Sequence, residues 1–145
     1  MKQISGTWFE CKVRYEQTQE DGTEKMVAET YVYKAEDFGE AYDKATKDMS
    51  TSISGEFEIT AMKIARYKEI ITQDERTEEQ YYRVKVIFIT LDEKTEKEKK
   101  VACYYLVNAD SVEKARKYTD TVLSDSMVDF VIEAVVEARV TDVQI

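Results

Sequence analysis

The sequence predicts an α+β protein made of two tandem ββαβ repeats that form a mostly antiparallel sheet with two helices packed on one face. Three observations support this class. The chain contains two similar segments, apolar and polar side chains alternate along several stretches, and one set of helix signals occurs in each segment. Strands and helices follow one another without strict βα alternation, which is typical of the α+β class.

The internal repeat is clearest in the first strand of each copy, where residues 8–15 align with residues 81–88. This alignment matches Lys12 with Lys85, an offset of 73 residues, and the second strands align at an offset of 74, as Ala35 and Ala109 show. Residues 1–145 are therefore predicted to be a single domain with two pseudo-repeats, about 7–71 and 80–143, joined by a polar linker, 72–80.

The strands are predicted from the two-residue alternation of apolar and polar side chains. In the first strand of the first copy, one face holds Phe9, Cys11, Val13 and Tyr15, and the opposite face holds Trp8, Glu10, Lys12 and Arg14. The second strands are expected at about 25–35 and 99–107, and the third strands at about 56–67 and 129–142.

Each predicted helix begins with a sequence that resembles a capping box. These sequences are Asp37-x-x-Glu40 and Asp110-x-x-Glu113, in which the aspartate side chain would accept hydrogen bonds from the first backbone N–H groups. Apolar residues then recur at helical spacing, so each helix is expected to pack one face on the sheet.

The composition excludes several kinds of chemistry. The chain has no histidine, which excludes imidazole bases and the commonest zinc ligand, and its two cysteines cannot complete a four-cysteine site. Its four glycines are too far apart for a glycine-rich phosphate loop. We therefore predict no catalytic residues, no metal ligands and no cofactor, so that the protein is not an enzyme.

The net charge is −9 at pH 7, and the isoelectric point is near 4.7. Such a surface repels nucleic acid at long range and so disfavours it as a partner. No apolar run is long enough to span a membrane, and the first residues do not resemble a signal peptide, so no membrane partner and a cytoplasmic location are predicted. Cys11 and Cys103 are expected to be buried free thiols.

One face of the first strands is the candidate ligand-binding surface. It combines cations with aromatic rings, as single-stranded nucleic-acid and nucleotide sites do, and it consists of Trp8, Lys12, Arg14, Tyr81, Arg83 and Lys85. The alternative is an ordinary solvated sheet face with cross-strand charge pairs.

The tyrosines and the last strand suggest an interface. Of Tyr31 and Tyr33, and of Tyr104 and Tyr105, one member of each pair is expected in the core and the other outside, where it would suit a protein interface or simply reflect β-propensity. The last strand is apolar on both sides at Val131-Ile132, Val135-Val136 and Val140. Since dimer formation protects exposed strand edges, a homodimer is expected.

Three segments carry a resemblance to a known family: Thr7–Tyr15, Ile53–Phe57 and Phe88–Lys94. Over nearly the whole chain, the sequence resembles a domain-of-unknown-function family of Bacteroides-group bacteria, their phages and their mobile elements. The resemblance implies a bacterial or phage origin and an intracellular location, and it brings no catalytic residues.

The function expected from these features is that of a non-catalytic binding or accessory protein that acts through an unidentified protein partner. The resemblance to phage proteins adds counter-defence against a host as one such role. The alternative is single-stranded nucleic-acid or nucleotide binding on the candidate surface.

Overall fold

The computed structural model describes residues 1–75 and 78–145. Two short segments of the described chain, Lys2–Ser5 and Asp142–Gln144, form strands near the two ends. The helices are α1 (Phe38–Ser52) and α2 (Val112–Leu123), and the strands are β1 (Lys2–Ser5), β2 (Trp8–Thr18), β3 (Glu24–Lys34), β4 (Phe57–Ala65), β5 (Glu69–Thr72), β6 (Tyr81–Leu91), β7 (Glu98–Asn108), β8 (Asp129–Ala138) and β9 (Asp142–Gln144).

The chain divides into two compact units. The first unit consists of Gly6–Arg66 and Val140–Ile145, and the second consists of Met1–Ser5 and Tyr67–Arg139. Each unit contains one sheet and one helix, so the α+β class and the ββαβ order are confirmed. The strands of the described residues lie in two sheets, each with its own helix, where one sheet carrying both helices was expected. The single-domain organisation stays a prediction.

The sheet of the first unit has the strand order β4-β2-β3-β9. Its pairs are antiparallel except for β3 and β9, which are parallel. A bulge interrupts the pairing of β2 with β4 between Lys12 and Val13. Helix α1 packs on the face of Cys11, Val13 and Tyr33, because its buried residues are small or flexible and allow a close approach: Ala41, Ala45 and Met49.

The sheet of the second unit repeats this arrangement, with the order β8-β6-β7-β5-β1. The parallel pair is β5 with β7, and the bulge lies between Lys85 and Val86, the counterparts of Lys12 and Val13. Helix α2 covers the face that holds Val84, Val86 and Tyr105. In each unit, the sheet face that its helix does not cover is called the outer face below.

The repeats exchange their final strands. Strand β5 ends the first repeat in sequence but pairs in the sheet of the second unit, whereas β9 ends the second repeat but pairs in the sheet of the first. The registers are equivalent, because Glu69 lies beside Tyr105 and Asp142 lies beside Tyr31. The expected third strand 56–67 corresponds to β4, and β5, which follows it, was not predicted; the expected strand 129–142 covers β8 and reaches only the first residue of β9.

The helix starts agree with the sequence in one copy only. Asp37 is the N-cap of α1, and its Oδ1 accepts a 2.8 Å hydrogen bond from the N–H of Glu40. In the second copy the predicted cap, Asp110, is wrong: Ser111 is the N-cap, and its Oγ accepts a 3.1 Å hydrogen bond from the N–H of Lys114. The 74-residue offset of this region places Ser111, and not Asp110, at the position of Asp37.

Part of the predicted linker, 72–80, lies outside the described residues, at positions 76 and 77. Its first residue, Thr72, ends β5. Near its other end, Asn108 of β7 is fully buried and its amide donates 2.9 Å hydrogen bonds to the carbonyl oxygens of Glu78 and Gln80. The side-chain amide of Asn108 thus holds Glu78 and Gln80 against the second sheet.

Candidate interaction surface

The structure buries both aromatic rings of the predicted ligand-binding surface. Trp8 is 1% exposed and Tyr81 is 3% exposed. A stacking platform needs an accessible ring face. The expectation that these two rings stand exposed beside the cations is therefore wrong, because alternation along a strand assigns a side chain to a face but does not show whether that face is covered.

The cations of the predicted surface lie on the outer faces of the two sheets. Lys12 and Arg14 are exposed on β2, and Arg83 is exposed on β6 beside the half-buried Lys85. Each pair shares one strand and one unit. The guanidinium of Arg83 stacks over the ring of Tyr104, 4.6 Å from its centroid, so an aromatic partner exists that the sequence did not single out.

Carboxylates accompany cations in both units. Lys85 Nζ lies 3.3 Å from Glu133 Oε1, and Lys63 Nζ lies 3.8 Å from Glu10 Oε1. Arg14 borders a cavity of about 470 Å³ whose charged lining is otherwise acidic: Glu16, Glu24, Glu56 and Glu58. The local charge therefore follows the net charge of the chain, and a polyanion would be attracted weakly at these places.

Strand β8 has a different surface. It is the last strand of its sheet, so one of its edges is not paired within the described residues. On the outer face it exposes Val131 by 52% and Val136 by 59%. Both lie opposite residues of β6 on that face, Ile87 and Arg83 respectively. An edge strand with exposed apolar side chains is a surface on which another chain can pair.

The equivalent strand of the first unit, β4, is protected by charge. It is also the last strand of its sheet, and Glu58 and Lys63 lie opposite Arg14 and Glu10 of β2. These positions correspond to Val131 and Val136 at the offset of 73 residues. Charged side chains on an edge strand oppose pairing with other chains. The two repeats therefore differ in charge at these two positions of the edge strand.

A second exposed apolar group lies on the first unit. Phe38 and Tyr42, one turn apart on α1, are about half exposed, as is Ile64 on β4. Phe38 packs against Phe9 with 4.9 Å between ring centroids, and Ile64 is paired with the same Phe9 in the sheet. These side chains rest on the core of the first unit, and Ile64 offers a comparison site on the other free edge strand.

The first unit also contains a cluster of tyrosines and carboxylates under α1. Tyr33 Oη donates a 2.8 Å hydrogen bond to Asp48 Oδ2, and Gln144 Nε2 donates a 3.1 Å bond to Asp48 Oδ1. Tyr15 donates to Glu29 on the same side of the sheet. The second repeat has apolar residues or cysteine at the equivalent positions: Phe88, Cys103, Val107 and Val122.

The pKa values of the tyrosines reflect this environment. The hydrogen bond to Glu29 and burial raise the pKa of Tyr15 to about 12. Burial and the carboxylate of Asp48 raise the pKa of Tyr33 well above its usual range, and burial does the same for Tyr31. Tyr31 and Tyr33 both contribute to the helix-covered face, which corrects the expectation that one of them faces outward; Tyr104 and Tyr105 do lie on opposite faces.

A cavity of about 340 Å³ opens beside this cluster. Its lining combines side chains of α1 with the end of β9: Tyr33, Lys44, Lys47, Asp48, Thr51, Gln144 and Ile145. Asp48 is already engaged by Tyr33 and Gln144, and Lys44 Nζ donates to the carbonyl oxygen of Lys34 at 2.6 Å. Most of the polar atoms that line the cavity thus serve the fold.

The cysteines are free thiols, as the sequence predicts. Cys11 is fully buried, and burial raises the pKa of its thiol to about 11, whereas Cys103 is half-buried. Within residues 1–75 and 78–145, no group of three or more cysteine, aspartate or glutamate side chains is arranged to hold a metal ion. None of the described helices is long and apolar enough to cross a membrane.

The family of the chain follows from its sequence pattern. Residues 7–144 match the pattern of a family described as a domain of unknown function, DUF4494. The chain belongs to the DUF4494 family. The match covers both repeats of the DUF4494 chain, including β9, which completes the first sheet. No curated protein and no solved structure matches the chain.

The sequence alone did not indicate the contrast between β8 and β4. It did indicate that the last strand is apolar on both sides at Val131 and Val136. The repeat offset aligns these positions with Glu58 and Lys63. The signal was present in the sequence, but its meaning depends on both strands lying at sheet edges, which only the strand order reveals.

Proposed function

We propose that this DUF4494 protein is a non-catalytic protein-interaction factor and that strand β8 is its binding edge. The observation that carries the proposal is the exposure of Val131 and Val136 on a free edge strand whose counterpart, β4, has Glu58 and Lys63 at the same positions. A strand of another chain would gain backbone hydrogen bonds on β8 and bury the two valines.

The physical chemistry favours a protein over a small ligand on this surface. Strand β8 has ten residues, a length that suits pairing along a strand. Two of its exposed side chains, Val131 and Val136, are apolar, and removing them from water is favourable. By contrast, the cavity beside Asp48 has polar groups that are already hydrogen-bonded to one another. Binding along β8 needs no rearrangement of this kind.

The setting that we propose follows from the family resemblance. A bacterium of the Bacteroides group, or one of its phages or mobile elements, would make the protein in its cytoplasm. In a phage, occupying a host protein would serve counter-defence. The partner in this setting is an intracellular protein with an accessible strand edge or extended segment.

Affinity capture with matched variants tests the proposal. Tagged wild-type protein, Val136→Lys and the control Ile64→Lys are incubated with lysate that also contains an untagged copy of the chain. We expect Val136→Lys to lose the bound proteins and Ile64→Lys to retain them, because only the first change places a charge on the outer face of β8. Equal capture by all three proteins would show that β8 is not the binding edge.

Single-stranded nucleic acid is the second candidate. The observation in its favour is the stacking of Arg83 on Tyr104, which leaves a cation and a ring together on the outer face of the second sheet. The exposed Lys12 and Arg14 add positive charge in the first unit. The net charge of −9 opposes this candidate.

Fluorescence anisotropy of labelled single-stranded DNA and RNA separates the two candidates. Nucleic-acid binding predicts a saturable rise that weakens steeply with salt and is lost in Lys12→Glu and Lys85→Glu, since counterion release dominates such affinity. An absence of any rise at low salt would eliminate this candidate. The label must be on the oligonucleotide, because Trp8 is buried and would respond poorly to stacking.

A further inference from the structure

We infer that the partner of β8 is a second copy of this chain, whose β8 pairs with the first in antiparallel fashion about a twofold axis between Glu133 and Ala134. This inference rests on the proposed function of β8 as a binding edge. It adds the identity of the occupant and the register of the pairing, both of which follow from the sequence of β8 and its place in the sheet.

The register follows from complete overlap of the two strands. When all ten residues of β8 pair with their copies, Asp129 lies opposite Ala138 and the axis falls between Glu133 and Ala134. Val131 then lies opposite Val136 of the second copy, and Val136 opposite Val131 of the second copy. The two most exposed valines of the strand therefore bury each other, and directly opposed apolar pairs stabilise a sheet.

The charges are compatible with this register. Strand β8 contains Asp129, Glu133 and Glu137. In complete overlap these lie opposite Ala138, Ala134 and Phe130 of the second copy, so no carboxylate faces another directly. An axis through Glu133 would instead place this residue opposite itself and Asp129 opposite Glu137, and directly opposed like charges are destabilising.

The bulge makes the two faces agree. Ile132 and Val135 pack on the core that α2 covers, whereas Val131 and Val136 lie opposite outer-face residues of β6. In a regular strand, side chains five residues apart point to opposite faces. Val131 and Val136 share a face because the register shifts by one residue at Glu133. In complete overlap, Ile132 faces Val135 of the second copy on the helix side and the valines face each other on the outer side.

The edge strand of the first repeat, β4, differs from β8 in charge. Strand β4 has the same bulge, but Glu58 and Lys63 occupy the positions of Val131 and Val136. A strand of another chain placed along β4 would have to desolvate these charges. The two edge strands therefore differ: β4 has charged residues at these two positions, whereas β8 has valines that can pair with another chain.

Sedimentation and light scattering of the purified full-length chain test the inference. The chain mass is 16.9 kDa, and we expect a particle of twice this mass that dissociates on dilution. Val131→Glu and Val136→Lys should each raise the dissociation constant roughly tenfold or more, because a charge then faces an apolar residue. The control Ile64→Lys, on the free edge strand β4, should leave the dissociation constant unchanged.

Mixing the variants tests the register. In complete overlap, the carboxylate introduced at position 131 faces the ammonium introduced at position 136 of the other chain. An equimolar mixture of Val131→Glu and Val136→Lys should therefore form a dimer at least roughly tenfold tighter than either variant alone. A mixture no tighter than its components would overturn the register, and a wild-type monomer, or a dimer insensitive to Val136→Lys, would overturn the inference.

Amide hydrogen exchange keeps the test independent of the variants. In the wild-type chain, the amides of β8 should exchange more slowly at high protein concentration, and those of β4 should not change. Concentration-independent exchange in β8 would contradict self-pairing even if the variants failed to fold. If the chain is monomeric but captures another protein in a Val136-dependent manner, the inference fails and the proposed function stands.

Discussion

The hydroxyl of Tyr33 donates a 2.8 Å hydrogen bond to Asp48, and the second repeat has Val107 and Val122 at the same two positions. The same fold is thus held by a polar contact in one unit and by an apolar contact in the other. Tyr33 is 1% exposed, so its hydroxyl depends on Asp48 for a partner.

Removing the hydroxyl of Tyr33 and removing the carboxylate of Asp48 should lower the free energy of unfolding by different amounts. Tyr33→Phe should lower the free energy of unfolding by about 1 kcal/mol, since Asp48 keeps its bond from Gln144. Asp48→Val should cost about 2 kcal/mol, because it leaves the buried hydroxyl without an acceptor. In urea unfolding, the double variant should cost less than the sum; strict additivity would show that the contact contributes nothing.

The tyrosines predict a loss of stability in alkali. The hydrogen bond to Glu29 with burial raises the pKa of Tyr15, and burial raises that of Tyr105, in each case from 10.0 to about 12. The unfolded chain therefore releases these protons first as the pH rises. The stabilisation is complete below pH 10 and is lost as the pH passes from 10 to about 12.

Tyrosinate absorbance and unfolding free energy, measured over the same pH range, check this expectation. In the native state, Tyr15 and Tyr105 should ionise only as the pH approaches about 12, because their pKa values are raised to that level. The free energy of unfolding should fall with pH in this window. A flat stability profile across the window would contradict the raised pKa values.

The two thiols should differ in reactivity. Cys11 is fully buried, and burial raises the pKa of its thiol to about 11. At a pH of about 8, the fraction of Cys11 present as thiolate is therefore on the order of one in a thousand. Cys103 is half-buried. A thiol reagent followed by mass spectrometry should therefore modify Cys103 first in the native protein. The variant Cys103→Ser should then react only at the rate at which the first unit opens.

The helix caps give a test of the corrected N-terminus of α2. Ser111→Ala should lower the free energy of unfolding by about 1 kcal/mol, because the N–H of Lys114 loses its acceptor, and Asp37→Ala should cost a similar amount in α1. Asp110→Ala removes only an exposed ion pair with Lys114 and should cost less. A larger loss at Asp110 than at Ser111 in thermal unfolding would restore Asp110 as the cap.

The sequence predicted those parts of the fold that depend on local order. The alternation around Cys11 and Val13, the helix start at Asp37 and the ββαβ order all follow from residues that are near one another in the chain. The pairing of β5 and β9 does not, because β5 lies beyond the predicted third strand, 56–67, and both strands pair with partners distant in sequence. The break between Ala65 and Glu69 is created by pairing with β7, a contact distant in sequence.

The candidate site was predictable to the same extent. Alternation assigns Lys12 and Arg83 to the outer faces, and both are exposed there. It also assigns Trp8 and Tyr81 to those faces, but both are buried. Burial depends on what covers a face, which no local pattern records. The apolar character of Val131 and Val136 was visible in the sequence, but their position on a free edge was not.

The exchange of β5 and β9 bears on how such a chain could have arisen. In a polypeptide of one repeat, the final strand would not pair within its own sheet. The second strand of that sheet would in turn lack the parallel neighbour that the other repeat now supplies. Two identical copies that traded these strands would meet both needs at once. Duplication and fusion of one ancestral gene would turn such an intertwined pair into a single polypeptide. Once joined, the halves could diverge, so that one has Glu58 and Lys63 on its edge strand and the other has Val131 and Val136 at the equivalent positions.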